Sequence, residues 1–552
     1  MATPRLPLWQ LGGALRKTRV GKLMTTDQPA PVETELKLRG DAVALERLWQ
    51  APLLRGPEPA SPRIKLLENV YYDTADLRLR KCGLAFRIRR DGDRFIQTVK
   101  TGDTAASAVM SRGEWEGEVS SPEPQPDRVD DPTMRAALGL LLPGELRPIF
   151  TTRVRREVVE LNGTDSHGRL KVIEAAFDRG EIEAAGAREA LAEIELELRE
   201  GPPGALFDLA LALQDVAPTQ IETRSKSARG YALATGRRPA WVRAAPLDLK
   251  AEMTVVDALA AVLGACLRHW GANEAAATDG SDPEGVHQMR IGLRRFRSAL
   301  AVFGNLLPAA EAEWLKDEGK WALDTLGPAR DWDVFQADLL APLEACRPDD
   351  DDLAALRAAA GERQADAYAQ LREALSAPRY TRFLLRLGGW LEDRGWQSPE
   401  LTAAQKAALA QPLLALAEKL LAKRHRQVLK RGKGFKKLAI AERHQLRIAV
   451  KKLRYTTEFF RGLYPAKRSK AYLAALRDLQ ESLGHLNDVA VAEHLLVDLT
   501  ETSPPGSGAR QLERAAGKVI GWYNRALLDF EPDMRRTWKS FAATKPFWNK
   551  PS

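Results

Sequence analysis

Residues Val32–Arg39 read Val-Glu-Thr-Glu-Leu-Lys-Leu-Arg, and the strict alternation of this stretch decides the fold expected for the N-terminal half. Successive side chains of a β-strand point to opposite faces, so Glu33, Glu35, Lys37 and Arg39 share one face. A strand on a protein surface also alternates, but it rarely carries two acids followed by two bases. The sequence therefore predicts a strand whose charged face lines an interior.

Two later alternating stretches also place charged side chains on one face, and each carries charges of one sign. Arg87 and Arg89 share a face of one stretch, and Glu193, Glu195 and Glu197 share a face of another. Like charges two residues apart on a strand repel each other unless an opposite charge lies between them. Carboxylate clusters favour divalent cations, and clusters of arginine and lysine favour polyanions. Together they predict a site for a phosphate chain with Mg²⁺ or Mn²⁺.

The composition indicates an intracellular protein with more than one domain. The chain has 552 residues, a net charge of +9 and three cysteines, Cys82, Cys266 and Cys346. An odd number of widely spaced cysteines supports neither a disulfide framework nor a thiolate metal site, so we expect a reducing cytoplasm. No apolar run approaches the roughly 18 residues of a membrane span, so no membrane partner is expected.

The expected fold class is α+β, with a change of pattern near residue 245. Before it, Gly, Pro and Asp separate short alternating segments, which is typical of antiparallel strands with a few flanking helices. After it, the chain is rich in Ala and Leu with a 3.6-residue period, which predicts an all-α bundle. We expect a leader at 1–29, either a disordered tail or a start codon assigned too early, then a strand-rich domain at 30–236, a linker at 237–249 and a helical domain at 250–542.

The helical half contains an internal duplication. Residues 287–297 align without a gap to residues 444–454, an offset of 157, and the same offset carries residues 326–331 onto 483–488. On a helical wheel each copy places its basic side chains in one arc beside an apolar arc that can face a core. The basic arcs form two ridges: His287, Arg290, Arg294 and Arg297, and His444, Arg447, Lys451 and Arg454.

The charge of these ridges predicts a polyanionic partner. A solvated helix face is the alternative, but such faces usually interleave acids with the bases. No acid lies within either aligned segment, and residues 423–454 hold 13 Lys and Arg against one acid, Glu442. An uncompensated positive field of this density attracts polyanions.

Ordered sequence blocks between residues 31 and 238 resemble the CYTH family, the triphosphate tunnel metalloenzymes. The opening signature Glu-x-Glu-x-Lys stands at 33–37. It is followed by Tyr-Tyr-Asp-Thr at 71–74, Gly-Leu-Ala-Phe-Arg-Ile-Arg at 83–89, Thr-Val-Lys at 98–100, Arg-Gly-Glu-Trp-Glu at 112–116, Phe-Asp-Arg-Gly at 177–180, the acidic strand at 193 and Ser-Lys at 225–226. The resemblance implies an antiparallel β-barrel whose lumen is the triphosphate tunnel.

The charges and the resemblance together assign roles to these side chains. Phosphoryl transfer needs the phosphate oxygens neutralised and the attacking water held in line. One metal ion would bridge substrate oxygens, and a second could lower the pKa of water. The catalytic residues would be Glu33, Glu35 and Lys37. The metal ligands would be Glu33, Glu35, Glu193, Glu195 and Glu197. The phosphates would be held by Arg87, Arg89, Lys100, Arg112, Arg153, Arg156 and Lys226.

Two points stay open in this assignment. The register of the strand decides which of Arg153 and Arg156 points inward. Ion pairing inside the barrel without any ligand is the alternative for the whole set, although burying ion pairs is costly. A structural role is as well supported as a binding role for four further residues: Arg39, Glu114, Glu116 and Asp178.

The duplicated blocks resemble the CHAD family, the conserved-histidine α-helical domain, over residues 250–540. The resemblance implies a bundle of helical repeats that binds inorganic polyphosphate, with polyphosphate granules as one location. Its second copy has Asn487 where the first has Arg330, so Asn487 is a doubtful phosphate contact. A core or capping role for His287 and His444 is as well supported as phosphate contact.

The expected function is metal-dependent hydrolysis of inorganic triphosphate to diphosphate and phosphate. The resemblance to two-domain bacterial inorganic triphosphatases favours this substrate, while hydrolysis of thiamine triphosphate or a nucleotide remains an alternative. A second alternative is a non-catalytic protein that tethers polyphosphate. Nucleic acid is disfavoured because no array of stacking aromatics interleaves with the basic ridges.

Overall fold

The computed structural model describes residues 32–55, 62–101, 109–142, 146–165, 168–502 and 506–549. The expected leader at 1–29 and the side chains of Glu33 and Arg112 lie outside the described part of the chain. The chain divides into two compact units, Met1–Pro239 with Ser376–Asp393, and Ala240–Leu375 with Arg394–Ser552. The expected helical domain at 250–542 therefore includes a segment, 376–393, that groups with the first unit.

The first unit is built on one antiparallel sheet. Its strands are β1 Val32–Arg39, β2 Arg63–Asp73, β3 Leu84–Asp91, β4 Arg94–Thr101, β5 Val109–Val119, β6 Arg147–Thr164, β7 Leu170–Ala184, β8 Ala187–Glu200 and β9 Gln220–Ile221. Their order is β5-β4-β3-β2-β6-β7-β8-β1-β9, and β1 also pairs with β5. The expectation of an antiparallel sheet followed by a helical region is confirmed.

Both faces of β1 are buried. Leu36 and Leu38 are fully buried on one face, and Glu35 and Lys37, on the other, are each 2% exposed. Helices cover the apolar side of the sheet, where Trp49 lies 5.5 Å from the ring of Phe177. These helices of the first unit are α1 Ala42–Trp49, α2 Pro52–Arg55, α3 Arg78–Lys81, α4 Pro132–Leu141, α5 Gly204–Val216 and α6 Lys226–Thr235, with a later helix at Pro378–Glu392. The charged side chains of β1 therefore face away from the apolar layer.

Helix α6 is held close to the sheet by local chemistry. The Ser225 side chain caps its N-terminus by accepting a hydrogen bond from Ala228 N at 3.1 Å. A Cβ added at Gly230 would lie 2.1 Å from the ring of Phe150, so only glycine allows this approach. The cap and the close approach place Lys226, the first residue of α6, over the charged face of the sheet.

The second unit is all-helical. Its helices are α7 Val255–Gly271, α8 Glu274–Asp279, α9 Glu284–Phe303, α10 Ala309–Thr325, α11 Gly327–Val334, α12 Ala341–Cys346, α13 Asp351–Ser376, α15 Ala403–Leu409, α16 Leu413–Gly432, α17 Ile440–Phe460, α18 Ala466–Glu501 and α19 Ser507–Ala543, and the later helix of the first unit is α14. A π-helical turn, Phe335–Leu340, joins α11 to α12. The two aligned basic segments lie on α9 and α17, and the offset of 157 also carries α7 onto α16.

One helical stretch in the described part of the chain, Val255–Asp279, is long and apolar enough to cross a membrane by length and composition alone. Half of that stretch is buried inside the protein. Leu259, Leu263 and Trp270 of this stretch are fully buried, as in the core helix of a globular unit. A single helix of this kind is weak evidence for a membrane span.

Candidate functional site

A cavity of about 620 Å³ opens onto the charged face of the sheet. All eight long strands and the start of α6 contribute to its wall. Nine basic and six acidic side chains line it: Lys37, Arg63, Lys65, Arg87, Arg89, Lys100, Arg156, Arg199 and Lys226, and Glu35, Glu114, Glu116, Glu174, Glu195 and Glu197. Such a lining suits a small, highly charged ligand and disfavours an apolar one.

Three glutamates form an acidic row across neighbouring strands. Glu35 on β1 pairs in register with Glu197 on β8, and Glu197 pairs with Glu174 on β7. Like charges directly opposite each other destabilise a sheet unless a cation lies near them. Arg199 supplies part of this compensation, with contacts of 2.6 Å to Glu197 and 3.0 Å to Glu174. The acidic row is therefore a place where further cations are stabilised.

A buried ion-pair cluster lies beside the acidic row. Lys226 Nζ lies 2.7 Å from Asp178, 2.5 Å from Glu193 and 2.8 Å from Glu195. Arg156 binds Asp178 with two hydrogen bonds of 2.7 and 2.6 Å and also contacts Glu195. Burial raises the pKa of Glu195, but the nearby cations outweigh this effect and hold the pKa well below its usual range. The cluster is therefore charged at neutral pH.

Lys37 joins this cluster to the acidic row. Its Nζ lies 2.5 Å from Glu195 and 3.4 Å from Glu35. Burial lowers the pKa of Lys37, but Glu195 and Glu35 outweigh it, so the pKa lies above its usual value. Lys37 is consequently a fixed positive charge between the two groups of carboxylates.

The carboxylates at both places have the chemistry of a site for a divalent cation. Asp178, Glu193 and Glu195 offer oxygen atoms that all lie within 4.8 Å of one another. Hard cations such as Mg²⁺ prefer carboxylate oxygens. Within the described residues, however, these three carboxylates are already neutralised by lysine and arginine. Glu35, Glu197 and Glu174 of the acidic row offer a second set of carboxylate oxygens, with Lys37, Arg199 and Arg63 beside them.

Another part of the cavity is a basic wall formed by β3 and β4. Arg87 is only 8% exposed, and its Nε has no hydrogen-bond partner among the described residues. The neighbouring Arg87 charge, burial and Arg156 lower the pKa of Arg89 to about 10. Lys100 reaches Glu114 at 3.0 Å, and Arg87 lies 3.6 Å from the same carboxylate. Glu116 also lies 4.0 Å from Arg87, so two carboxylates stand among the three cations Arg87, Arg89 and Lys100. The remaining excess of positive charge would be stabilised by an anion.

Most of the residues assigned from the sequence come together in this cavity. Nine of them line it: Glu35, Lys37, Arg87, Arg89, Lys100, Arg156, Glu195, Glu197 and Lys226. Glu193 is fully buried beneath them, in contact with Lys226. Glu33 and Arg112 pair in register on β1 and β5, but their side chains are not described. The structure thus places both signs of charge around one space.

Arg153 is the exception, because its side chain does not line this cavity. Its side chain is 50% exposed and pairs with Glu68 at 3.1 Å and Glu183 at 2.5 Å. Arg156 lies an odd number of residues farther along the same strand, so the two side chains point to opposite faces. The open choice between them therefore falls on Arg156.

Some residues of this site were not predicted from the sequence, and the role of another was left undecided. Arg63 and Lys65 alternate on β2, and Arg199 continues the alternation that begins at Glu193, so the period of two could have pointed to all three. Glu174 carries no such signal, because only the pairing of β7 with β8 brings it to the acidic row. Asp178, left open in the sequence, is completely buried against Arg156.

In the helical unit, residues of both basic ridges line a common groove. A cavity of about 610 Å³ is lined by Arg294 and Arg297 of α9 and by Lys451 of α17. A smaller cavity of about 330 Å³ contains His444 and Arg447 of α17. The two ridges therefore converge, whereas the sequence indicated only that each exists. We call the larger cavity the ridge groove.

Electrostatics in the helical unit reflect this convergence. Burial, Arg447 and Arg294 lower the pKa of Lys451 to about 7. Burial and then Arg294 lower the pKa of Arg290 to about 10. Crowding of like charges explains both effects, and an anion would relieve it.

The remaining ridge residues have other surroundings. Burial and then Arg330 lower the pKa of His287 to about 4, so His287 is neutral at pH 7. The Nε of Arg454 pairs with Glu458 at 2.8 Å, and Arg447 lies 4.0 Å from Asp488. His287 and Arg454 therefore add less positive charge than the sequence pattern suggested.

Comparison with known proteins identifies both halves. The CYTH domain family matches residues 32–231, and the CHAD domain family matches residues 261–497. The chain is 33% identical over 172 residues to an inorganic triphosphatase from Haemophilus influenzae, an alignment that covers 30% of this chain and 46% of that protein. The chain thus spans about half the length of this curated relative.

Two solved structures are also similar. The CHAD domain of the plant Ricinus communis is 34% identical, with a TM-score of 0.48, and the match covers 55% of this chain and 98% of that one. A Hippeastrum protein described as having a dominant triphosphatase activity is 21% identical, with a TM-score of 0.29, over 37% of this chain and 96% of that one. From the two family matches, the chain consists of a CYTH domain followed by a CHAD domain.

Proposed function

We propose that the CYTH domain hydrolyses inorganic triphosphate to diphosphate and phosphate with Mg²⁺ or Mn²⁺, and that the CHAD domain binds inorganic polyphosphate. The observation that carries the first proposal is the shared cavity, in which an acidic row faces a basic wall. A phosphate chain needs cations from the protein along its length and metal ions where its charge is densest. The triphosphatase relative and the CYTH match support the same reaction class.

We further propose that the strands close into a barrel around this cavity. The pairing of β1 with both β8 and β5 supports closure, because it brings together strands from the two ends of the order. Closure would exclude bulk water from the sides of the cavity and strengthen each electrostatic contact within it. The lumen would then be the expected triphosphate tunnel.

The basic wall would hold the phosphates. Arg87 and Arg89 carry planar guanidinium groups that can bind two oxygens of one phosphate, and Lys100 acts as a point charge. Arg87 offers its unpartnered Nε for such a bond. Binding an anion here would also stabilise the protonated form of Arg89. These contacts orient the chain and neutralise its oxygens.

The acidic row would hold the metal. Glu35 and Glu197, with Glu174, provide the carboxylate oxygens, and Lys37 keeps Glu35 and Glu195 oriented through its two contacts. A bound divalent ion supplies charge neutralisation on the reacting phosphate and a lower pKa for water. A cavity glutamate near the attacking water would accept its proton.

A phosphate-release assay tests this proposal. The full chain would be given tripolyphosphate, ATP, thiamine triphosphate or long polyphosphate, each with Mg²⁺, Mn²⁺ or EDTA. We expect tripolyphosphate to be the best substrate and Glu35→Gln to lower kcat at least about 100-fold. Glu68→Gln is the matched control, since Glu68 is an exposed acid of the same sheet that does not line the cavity.

Two outcomes would contradict the proposal. If the Glu35→Gln variant kept full activity, the acidic row would have no role in the reaction. Binding of tripolyphosphate without any turnover would favour a phosphate-binding protein, a reading that the neutralised cluster of Asp178, Glu193 and Glu195 also fits.

A further inference from the structure

A second basic groove lies between α16 and α17, and none of the residues of the two basic ridges is in its lining. Its volume is about 750 Å³, and its lining includes Arg424, Lys430, Arg431, Lys433 and Lys452. We call this cavity the α16–α17 groove.

The lysines of this groove lack neutralising acids in the part of the chain that the structure describes. Within the described ranges, no carboxylate lies at ion-pair distance from Lys430, Lys433 or Lys452. The acid in the lining, Glu442, accepts a hydrogen bond from Ala439 N at 2.8 Å and so caps the start of α17. The three lysines therefore present positive charge to the groove with no acidic partner among the residues that the structure describes.

The α16–α17 groove adjoins the ridge groove. Arg424, Ile448 and Lys452 line both cavities. The Nε of Arg424 is buried and lacks a hydrogen-bond partner among the residues that the structure describes. An extended anion that occupies the ridge groove would therefore meet further unneutralised cations where the two cavities join.

We propose that the α16–α17 groove is a second section of the polyphosphate-binding surface, occupied by the continuing part of a long chain. This inference rests on the proposed binding of polyphosphate by the CHAD domain. A short chain would fill the ridge groove alone, whereas a long chain would neutralise both sections. The domain would consequently prefer long polyphosphate, and the preference would reside in lysines outside the two ridges.

Calorimetric titration of the full chain with short and long polyphosphate, at fixed salt, tests this inference. The double variant Lys430→Ala/Lys433→Ala is expected to weaken binding of the long chain roughly tenfold and to leave the short chain unaffected. Its salt slope for the long chain should fall by about two, one for each lost lysine contact. The matched control is Lys467→Ala/Lys470→Ala, which removes two exposed lysines of α18 that line neither groove.

Arg294→Ala, in the ridge groove, should weaken both chain lengths. The inference is overturned if the double variant binds long chains as tightly as the control, or if its affinity falls equally for both chain lengths. In either case the proposed function stands. If the unmodified protein binds neither length, both are overturned. Equal competition by single-stranded RNA of matched charge would overturn the choice of polyphosphate as the occupant.

Discussion

Substitution of Lys226 by methionine should destabilise the CYTH domain strongly at neutral pH. Lys226 Nζ contacts three buried carboxylates at 2.5 to 2.8 Å. At such distances one contact is worth roughly 6 kcal/mol at an effective dielectric constant of about 20. Three contacts outweigh the several kcal/mol that burying one ammonium group costs, and losing one partner of a buried pair typically costs about 3–5 kcal/mol. Because Arg156 and Lys37 still compensate these carboxylates, we expect the substitution to lower the free energy of unfolding by about 3 kcal/mol.

The loss should depend on pH with a definite sign. The pKa of Glu195 is well below its ordinary value of 4.5 in the folded protein. A depressed carboxyl pKa contributes stability above the unfolded pKa and loses it as the pH falls through the folded value. The difference between Lys226→Met and the unmodified protein should therefore be full at pH 7 and shrink below about pH 4.5 as the carboxylates are protonated.

Hydrogen-exchange mass spectrometry on the full chain measures this loss. Peptides from β7 and β8 report the opening free energy of the CYTH domain separately from the CHAD domain. A loss of about 3 kcal/mol corresponds to exchange roughly 100-fold faster in these peptides. Lys65→Met is the control, because Lys65 lines the same cavity but is exposed, and it should change stability by less than about 0.5 kcal/mol. Equal exchange in both variants would refute the assigned importance of the buried cluster.

Lys451 in the ridge groove, Gly230 in α6 and the metal ions each have a measurable effect. Because burial, Arg447 and Arg294 lower the pKa of Lys451 to about 7, and a bound anion favours its protonated form, polyphosphate affinity should fall by up to about tenfold per pH unit above pH 7. Lys451→Arg should abolish that part of the pH dependence in titrations, since arginine stays charged. Gly230→Ala should lower the unfolding free energy of the CYTH domain by about 1–3 kcal/mol and slow phosphate release, because its Cβ would meet Phe150 at 2.1 Å; unchanged thermal unfolding would contradict the packing of α6. Chelation with EDTA should stop phosphate release, and added Mg²⁺ or Mn²⁺ should restore it.

Much of the CYTH cavity could be predicted because the strand period is local. The alternation of Glu35 with Lys37, and of Arg87 with Arg89, is visible within a few residues and assigns each pair to one face. The choice between Arg153 and Arg156 needed the register of a long strand. That register depends on a partner far away in sequence and shifts by one residue at Tyr71.

The features that sequence reasoning missed depend on tertiary pairing. Glu174 joins the acidic row only through the register of β7 with β8. The convergence of the two CHAD ridges arises because α9 and α17 both line one groove, which a helical wheel of either helix does not contain. The repeat offset predicted equivalent helices, but it gave no information on which faces meet.

Helix α14 belongs to the N-terminal unit, so that unit needs a segment far along the chain to complete its core. Gly388 and Gly389 lie against the ring of Phe207, where a Cβ on Gly388 would be 2.2 Å from the ring, and Arg382 pairs with Asp215 at 2.7 Å. A gene cut near residue 245 would encode a protein that leaves Phe207, fully buried here, open to water. Such a fragment should aggregate, and during synthesis this unit is completed only after residues 376–393 have left the ribosome.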